Sequence, residues 1–469
     1  MVTTRFAPSP TGFLHIGGAR TALYSWLYAK QQQGRFLLRI EDTDRERSTE
    51  AAVQAIFDGM RWLELAADET PVFQTQRFER YREVAQQMLQ AGTAYHCYCT
   101  KQELEEMRAG QMSRKEKPRY DGRCRHRTEP RAGVDPVVRF RNPEGGSVVV
   151  DDLIKGRIQF QSDELDDLII ARSDGTPTYN FCVVVDDWDM QVTHVIRGDD
   201  HVNNTPRQMN ILKALGATPP RYAHVPMILG SDGVKLSKRH GAVSVIDYRT
   251  LGFLPDAVLN YLVRLGWSHG DQELFTREEM IRLFDITQVH KAPARFDMEK
   301  LVWVNHEFLK RVEPARVEPE LRWHLERLGV PAERLAHGPS LADVILAQRE
   351  RCKTMVEMAE KSRFFWEDVT QYNPKDAAKH LTAASAEHLD SLAGSLRGLG
   401  DWKAEGIHAA VHALAESRQL GLGAVAQPIR VAVAGMAISP PIDQTLELLG
   451  RERTLARLQA AAAHARAGK

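Results

Sequence analysis

The first residues of the chain show a pattern typical of a parallel α/β sheet with a ligand at its edge. Thr3–Phe6 has the composition of a short strand, and prolines and a glycine between residues 7 and 12 exclude regular structure. From His15 to Gln33 apolar side chains recur at helical spacing. The segment therefore predicts a strand, a loop and a helix, with Gly17 and Gly18 in the first helical turn.

This predicted helix start suits a polyanion. The first turn of a helix has free backbone N–H groups and the positive end of the helix dipole, and glycine lets a phosphate come close. His15 adds a side-chain donor that titrates near neutral pH. An ordinary glycine-rich connection between strand and helix is the alternative for this segment taken alone.

A second segment, more than two hundred residues later, carries a cluster of cations. The strand-like run Ala223–Leu229 and a glycine-rich turn precede Lys235-Leu236-Ser237-Lys238-Arg239. Three cations in a glycine-flanked loop can neutralise charge that develops on an α-phosphate and on departing pyrophosphate. The alternative is a solvated charged loop with no ligand.

Together the two segments resemble the HIGH and KMSKS signatures of class I aminoacyl-tRNA synthetases. The flanking sequences Arg5–Gly12, Arg39–Asp44 and Val195–Asp200 resemble the glutamyl and glutaminyl branch, and the whole chain is similar to bacterial glutamyl-tRNA synthetases. One position departs from the generic signature, because Gly18 stands where its second histidine would be. Only His15 can supply the histidine of the motif.

The resemblance implies a two-step ligation of L-glutamate to tRNA(Glu) through glutamyl-adenylate, with ATP and Mg²⁺. It implies His15 and Lys238 as the catalytic residues. The residues implied to bind ATP are Gly17, Gly18, Lys235, Ser237, Lys238 and Arg239. An enzyme that also charges glutamine tRNA is the alternative that the sequence leaves open.

A glutamate pocket must balance two carboxylates and one ammonium. Arginines can bind the carboxylates in a bidentate manner, and a glutamate can pair with the ammonium. Local ion pairs, Arg39 with Glu41 and Arg197 with Asp199, are the alternative without a ligand. The resemblance implies a set of glutamate-binding residues, namely Arg5, Ser9, Glu41, Tyr179 and Arg197.

Three of the five cysteines lie close to one histidine in the sequence. Cys97 and Cys99 form one pair, and Cys124 with His126 forms a second, which is the donor set of a closed structural Zn²⁺ site. Unrelated cysteines and a histidine are the alternative, and the resemblance favours zinc. The two remaining cysteines, Cys182 and Cys352, are expected to be buried as small apolar residues.

The order of predicted elements indicates an α/β protein with an all-α end. We expect a Rossmann-type parallel-sheet catalytic domain at 1–90 and 186–240, split at 91–185 by an α+β acceptor-binding insertion with a zinc arm. A helical stem-contact domain at 241–315 and a helical anticodon-binding region at 316–469 follow. Prolines, including Pro428, are expected to break the C-terminal helices, and Trp267 and Trp303 are expected in the core.

Composition excludes some classes and partners. The formal net charge is zero, so a tRNA partner requires local basic surface. Arg349 and Arg351 are candidates for reading the third anticodon base, and an ordinary surface helix is the alternative. There is no signal-peptide pattern and no apolar run of membrane length, so we expect a cytoplasmic protein without a membrane partner. A monomer is expected.

Three other functions share part of this pattern. A glutaminyl enzyme shares both motifs, a truncated glutamylating paralogue lacks the C-terminal region, and a small-molecule nucleotidylyltransferase shares the first motif. The helical, Ala- and Leu-rich C-terminal half argues against the glutaminyl enzyme, whose C-terminal half is a pair of β-barrels. Residues 320–469 exclude the truncated paralogue, and a nucleotidylyltransferase needs no C-terminal extension of this size.

Overall fold

The computed structural model describes residues 1–44, 46–237 and 244–468. The chain divides into two compact units, Met1–Ile246 with Leu259–Asp297 and Asp247–Val258 with Met298–Lys469. The four-part domain division expected from the sequence is finer than this and stays a prediction.

The first unit begins with alternating strands and helices around a parallel sheet. β1 pairs with β2, and β2 pairs with β3, both in parallel. Helix α1 buries Ala19, Leu23 and Leu27 completely, as its apolar spacing predicts. The elements are β1 (Thr3–Phe6), α1 (Ile16–Gln31), β2 (Arg35–Ile40), α2 (Glu50–Trp62), β3 (Val72–Phe73) and α3 (Phe78–Gln90).

A mixed segment then interrupts the parallel strands. Three of its strands form an antiparallel sheet in the order β4-β5-β8, and β6 and β7 form a separate antiparallel hairpin. The elements are β4 (Ala94–Cys97), α4 (Lys101–Ser113), β5 (Val137–Phe140), β6 (Ser147–Asp152), β7 (Gly156–Gln161) and β8 (Ile169–Ala171).

Parallel pairing resumes after this insertion. β9 and β10 are parallel, and the backbone N–H of Thr193, just before β9, donates to the carbonyl of Thr3 in β1 over 2.9 Å. The two parallel ladders therefore lie side by side, which brings the ends of β1, β2 and β9 to one edge. The elements are α5 (Tyr179–Asp189), β9 (His194–Gly198), α6 (Thr205–Ala214), β10 (Arg221–Val225), β11 (Ile228–Leu229), α7 (Val245–Thr250), α8 (Pro255–Arg264), α9 (Arg277–Leu283) and β12 (Ala294–Arg295).

In the described part of 298–469, every regular element is helical. The elements are α10 (Met298–Arg311), α11 (Pro314–Arg327), α12 (Ala332–His337), α13 (Leu341–Gln348), α14 (Met355–Ser362), α15 (Pro374–His380), α16 (Ala383–Arg397), α17 (Ala404–Ser417), α18 (Leu422–Ala434), α19 (Ile442–Leu449) and α20 (Arg451–Arg466). A split parallel sheet followed by helices confirms the fold class expected from the sequence.

Three expectations, one about a strand and two about single residues, need correction. The predicted strand 223–229 is two strands, β10 and β11, because Pro226 has no N–H for a ladder. Pro428 lies inside α18 and does not end it, and the apolar residues around it, including Ala426, Ile429 and Val431, are buried. Trp303 is 41% exposed, on the face of α10 opposite the buried Leu301 and Val304.

Other expectations about single residues are confirmed. Trp267 is buried, and so are both isolated cysteines, Cys182 and Cys352. No helix in the described ranges is both long enough and apolar enough to span a bilayer.

Candidate active site

His15 caps the N-terminus of α1, the helix that follows β1. It has extended backbone angles, and its Nδ1 atom accepts a hydrogen bond from the backbone N–H of Gly18 over 3.1 Å. Burial among protein atoms lowers the pKa of His15, and Lys235 lowers it further, while Asp200 opposes both. Because Nδ1 of the neutral ring accepts this hydrogen bond, the ring proton is on Nε2, which is then available as a donor.

The glycines after His15 have little room for side chains. A Cβ on Gly17 would lie 3.1 Å from the His15 Nδ1, and one on Gly18 would lie 3.3 Å from a methyl of Leu14. Both distances are tighter than ordinary contact. The departure from the generic signature at Gly18 is therefore consistent with how closely this turn packs.

The second motif lies beside the first. Lys235 pairs with Leu229 in an isolated bridge, and its ammonium is 3.9 Å from Asp200. After the motif, Ser244 forms an isolated bridge with His15, and the N–H of Val245 donates to Leu14 over 2.9 Å. Two of the predicted ATP-binding residues, Lys238 and Arg239, lie outside the described residues; Ser237, directly before them, is half-buried.

Buried charges meet at the ends of β1 and β2. Asp187 accepts hydrogen bonds from Nε of Arg5 over 3.1 Å and from Arg39 over 2.6 Å. The same Arg39 lies 3.3 Å from Glu41 and 3.5 Å from Asp186. The local pair of Arg39 with Glu41 that the sequence offered as an alternative is therefore present, within a larger network.

Two arginines of this network stabilise the charged form of Asp187. Burial raises the pKa of Asp187, but Arg5 and Arg39 outweigh it and hold that pKa below its usual range. Sequence reasoning missed Asp186 and Asp187 altogether. Two acids that follow three valines in one buried helix were the available signal.

Arg197 differs from the other arginines at this edge. It is buried, and within the described residues its guanidinium has neutral partners only, with no carboxylate in ion-pair range. Nε donates to His224 over 3.2 Å, Nη1 to Gln208 over 2.8 Å, and Nη2 to Thr205 over 2.8 Å. The pair of Arg197 with Asp199, which the sequence offered as an alternative, is not formed between these described residues, and Asp199 is paired with Lys155 instead.

The remaining predicted pocket residues, Tyr179 and Ser9, lie near the same strand ends. Tyr179 begins α5, and burial, followed by the charge of Glu41, raises its pKa. Arg197 and Arg5 also act on Tyr179 electrostatically, so the structure brings these four residues together. Ser9 is exposed in the loop after β1, and that loop is tied to Glu41 by a backbone bond from Glu41 to Pro8 of 3.0 Å.

The three cysteines of the insertion converge. The ligand atoms of Cys97, Cys99 and Cys124 lie within 4.8 Å of one another, and the sulfurs of Cys99 and Cys124 are 3.6 Å apart. A tetrahedral Zn²⁺ with Zn–S bonds of about 2.3 Å requires sulfurs about 3.8 Å apart, so this set fits the ion. His126 is exposed and is not part of the group.

A tyrosine stands where the histidine was expected. The Tyr120 hydroxyl lies 3.4 Å from the sulfur of Cys97 and 4.0 Å from that of Cys99. It also accepts the backbone N–H of Cys124 over 3.0 Å. No spacing pattern in the sequence indicates this contact, because a tyrosine in a basic loop is not a usual zinc ligand.

The candidate anticodon residues lie in the second unit. Arg349 is the C-cap of α13 and is half-buried. Arg351 is exposed, and its Nη1 donates to the carbonyl of Ser439 over 3.3 Å. Arg349 is thus part of the C-terminal end of α13, whereas the side chain of Arg351 is accessible to solvent.

The comparisons with known proteins agree along nearly the whole chain. Residues 1–303 match the family described as tRNA synthetases class I (E and Q), catalytic domain, and residues 307–462 match an anticodon binding domain. A relative from Acidithiobacillus ferrooxidans named Glutamate--tRNA ligase 1 is 61% identical over 463 residues, which cover 98% of this chain and 99% of the relative. A relative of the same name from Alkalilimnicola ehrlichii is 60% identical over 462 residues, covering 98% and 97%.

Solved structures give the same result. A glutamate tRNA ligase from Elizabethkingia meningosepticum, in complex with its amino acid, has a TM-score of 0.81 at 32% identity and covers 98% of this chain and 99% of its own. The glutamate-tRNA synthetase from Elizabethkingia anophelis has a TM-score of 0.78 at 32% identity, with the same coverage. The chain therefore belongs to the glutamate–tRNA ligases, within the class I aminoacyl-tRNA synthetases.

Proposed function

We propose that the chain activates L-glutamate with ATP at the edge formed by β1, β2 and β9 and transfers it to tRNA(Glu). The observation that supports this most strongly is Arg197, a buried guanidinium whose partners within the described residues are all neutral. Burial lowers the pKa of Arg197, which reflects the cost of an uncompensated charge. A substrate carboxylate would supply the missing anion.

Each pocket residue then has a role in holding glutamate. Arg197 takes one carboxylate, and the outer nitrogens of Arg5, whose Nε is held by Asp187, take the other. Glu41 pairs with the ammonium. Tyr179 and Ser9 add hydrogen bonds at the rim, where both have accessible surface.

The ATP site is formed by the two motifs. The α-phosphate lies at the first turn of α1, near the glycines, with Nε2–H of His15 as a donor. Lys235 and Ser237 border it. Lys238 and Arg239, which lie outside the described residues, are assigned to the site from their motif alone. The Mg²⁺ enters with ATP.

The chemistry consists of two substitutions. A glutamate α-carboxylate oxygen forms a bond to the α-phosphorus, and the bond to pyrophosphate breaks. The terminal ribose hydroxyl of the tRNA then attacks the activated carbonyl, and AMP leaves with the bonding electrons. The cations and the helix start orient two polyanions and neutralise the charge that builds up on the phosphates.

A structural Zn²⁺ is proposed for the insertion. Cys97, Cys99 and Cys124 would hold it, with the Tyr120 hydroxyl nearest the fourth position. The ion would pin an arm that has only a small core of its own. It takes no part in the reaction.

The outer regions are proposed to bind tRNA. The insertion at 91–185 would contact the acceptor end, 241–315 the stem, and 316–469 the anticodon through Arg349 and Arg351. We propose that the enzyme works as a monomer in the cytoplasm, where its tRNA substrate is used.

Glutamate-dependent pyrophosphate exchange, with and without tRNA(Glu), tests the proposal together with charging of purified tRNA(Glu) and tRNA(Gln). We expect exchange to depend on glutamate and tRNA(Glu), and charging to be confined to tRNA(Glu). Equal charging of tRNA(Gln) would establish the wider specificity instead.

For Arg197→Gln we expect the glutamate KM to rise about tenfold to a hundredfold, as for loss of a charged hydrogen bond. An unchanged glutamate KM would show that Arg197 does not bind the substrate carboxylate.

A further inference from the structure

We propose that Asp152 and His224 are positioning residues that aim the Arg197 guanidinium at the substrate carboxylate. The inference rests on the proposed role of Arg197 in glutamate binding. It concerns how the arginine is held, which neither the motifs nor the family signatures address.

The three side chains form a continuous buried chain. Oδ2 of Asp152, at the end of β6, is 2.6 Å from Nδ1 of His224 in β10. Neither side chain has exposed surface. His224 is also the strand partner of Arg197, and its Nε2 accepts the Nε–H of that arginine over 3.2 Å.

The geometry allows one tautomer only. An arginine Nε always carries a proton, so the facing Nε2 of His224 must be an acceptor. The histidine proton is therefore on Nδ1, where Asp152 accepts it. The Asp152 carboxylate thus fixes the proton position that Arg197 requires.

Arg197 depends on this contact because it lacks an ionic anchor. Gln208 holds Nη1 and Thr205 holds Nη2, and His224 holds Nε. Nη1 retains a second N–H for a ligand, and Nη2 has a second contact, with the carbonyl of His201 at 3.5 Å, that is long enough for a carboxylate to compete with it. Loss of the Nε contact would let the plane of the guanidinium rotate and misdirect those two donors.

The charged groups around His224 favour the same state. Burial lowers its pKa, the hydrogen bond that Nδ1 donates to Asp152 opposes that, and Arg197 lowers the pKa further. Asp199 also acts on it electrostatically, and the ring of Tyr222 stacks on it at 6.0 Å. The neutral imidazole, an acceptor toward Arg197, is the favoured form.

Asp152→Asn is the informative variant. Oδ1 of Asp152 accepts the N–H groups of Ile154 over 2.9 Å and Lys155 over 2.7 Å, and an asparagine oxygen in that place keeps both. The amide nitrogen would then face Nδ1 of His224 and drive the imidazole proton to Nε2, against Arg197. The backbone N–H of His224, which is 3.1 Å from Oδ2 and 3.3 Å from Oδ1 in the wild type, keeps the oxygen in the Oδ1 place as its acceptor. We expect the glutamate KM to rise about tenfold, equivalent to about 1.4 kcal/mol, with the ATP KM within twofold.

Asp167→Asn is the matched control. Asp167 is an equally buried carboxylate of the insertion that accepts the N–H of Asn142 over 2.9 Å and the hydroxyl of Tyr95 over 2.6 Å. It has no contact with Arg197. We expect both KM values to stay within twofold of wild type, even if the melting temperature falls as much as in Asp152→Asn.

Nitrogen NMR of ¹⁵N-histidine-labelled enzyme reports the tautomer directly. We expect the His224 signals to change from the Nδ1–H to the Nε2–H pattern in Asp152→Asn. A flipped tautomer with a wild-type glutamate KM would overturn the inference. Equal increases in the glutamate and ATP KM values would also overturn it, because they indicate general damage.

A second pair of variants covers the case in which Asp152→Asn does not fold. His224→Gln places an amide oxygen near the Nε2 position and keeps an acceptor for Arg197, whereas His224→Leu removes it. We expect the glutamate KM of the leucine variant to exceed that of the glutamine variant at least fivefold; equal values would refute the positioning role. If Arg197→Gln itself leaves the glutamate KM unchanged, the proposed pocket fails first, and the two failures are thereby separated.

Discussion

The Nδ1 atom of His15 accepts a hydrogen bond from the backbone N–H of Gly18 over 3.1 Å. One nitrogen of the ring thus caps the helix, and the other faces the proposed phosphate site. The two roles can be separated, because asparagine caps a helix well but does not reach as far as Nε2.

We predict that His15→Asn keeps the stability of the enzyme while His15→Ala loses about 1 kcal/mol, measured by urea unfolding. Both variants should reduce adenylate formation about a hundredfold, since both lack the Nε2 donor. Wild-type turnover in His15→Asn would show that the histidine serves the helix alone.

Arg39 compensates several buried carboxylates, and its removal should be costly. We predict that Arg39→Met lowers the free energy of unfolding by about 3–5 kcal/mol, because Asp186, Asp187 and Glu41 lose a cation while remaining buried. Equilibrium urea unfolding at neutral pH measures this.

The control for Arg39 is an exposed pair of similar chemistry. Arg61 lies 2.9 Å from Asp58 on the surface of α2. Arg61→Met should change the free energy of unfolding by less than about 1 kcal/mol. Similar losses in both variants would mean that the buried network contributes no more than a surface pair.

The cysteine cluster predicts metal content. Purified wild-type enzyme should contain about one zinc per chain, and the double variant Cys97→Ser, Cys124→Ser should contain none, because a two-donor remnant binds weakly. Inductively coupled plasma mass spectrometry measures this. An absence of metal from the wild type would remove the zinc proposal.

Single variants near the cluster identify the fourth partner. His126→Ala should keep its zinc, because that side chain is outside the group of sulfurs. Tyr120→Phe should release zinc to a chelator faster than wild type, since it loses the hydroxyl 3.4 Å from Cys97. The reverse order would restore His126 as the ligand expected from the sequence.

His324 makes the second unit sensitive to acid. It is buried in α11, and burial lowers its pKa to about 4. The unfolded chain takes up this proton near pH 6.5, so the contribution to stability is complete above that pH and is lost as the pH falls toward 4. On this basis His324→Leu should gain about 3 kcal/mol relative to wild type between pH 7 and pH 4.

Unfolding measured at both pH values checks this, and the difference between variant and wild type cancels the acid effects that both share. His337→Leu provides the comparison, because His337 is exposed on α12. The same gain in His337→Leu would show that the effect does not come from the burial of His324.

Sequence reasoning located the elements that carry the motifs because their signals are local. The first strand agrees residue for residue, and α1 agrees within two residues at its C-terminal end, since apolar spacing and glycines determine both. Trp303 and Pro428 were misjudged because neighbours distant in sequence decide which face is buried and whether a helix tolerates proline.

The residues that hold the pocket could not be predicted in this way. Asp187 meets Arg5 across 182 positions, and His224 meets Asp152 across 72. Single residues at such separations leave no periodic signal. The position of Tyr120 beside the cysteines, where His126 was expected, could not be predicted either, because the fold of a loop brings the hydroxyl there.

The bridge between His15 and Ser244 also has a consequence for biosynthesis. The ribosome releases the N-terminal loop long before its backbone partner exists. At about 5–20 residues per second, that partner follows roughly ten to fifty seconds later. During this interval the nascent loop lacks one side of its support, so competence to bind nucleotide is delayed until more than half of the chain has been translated.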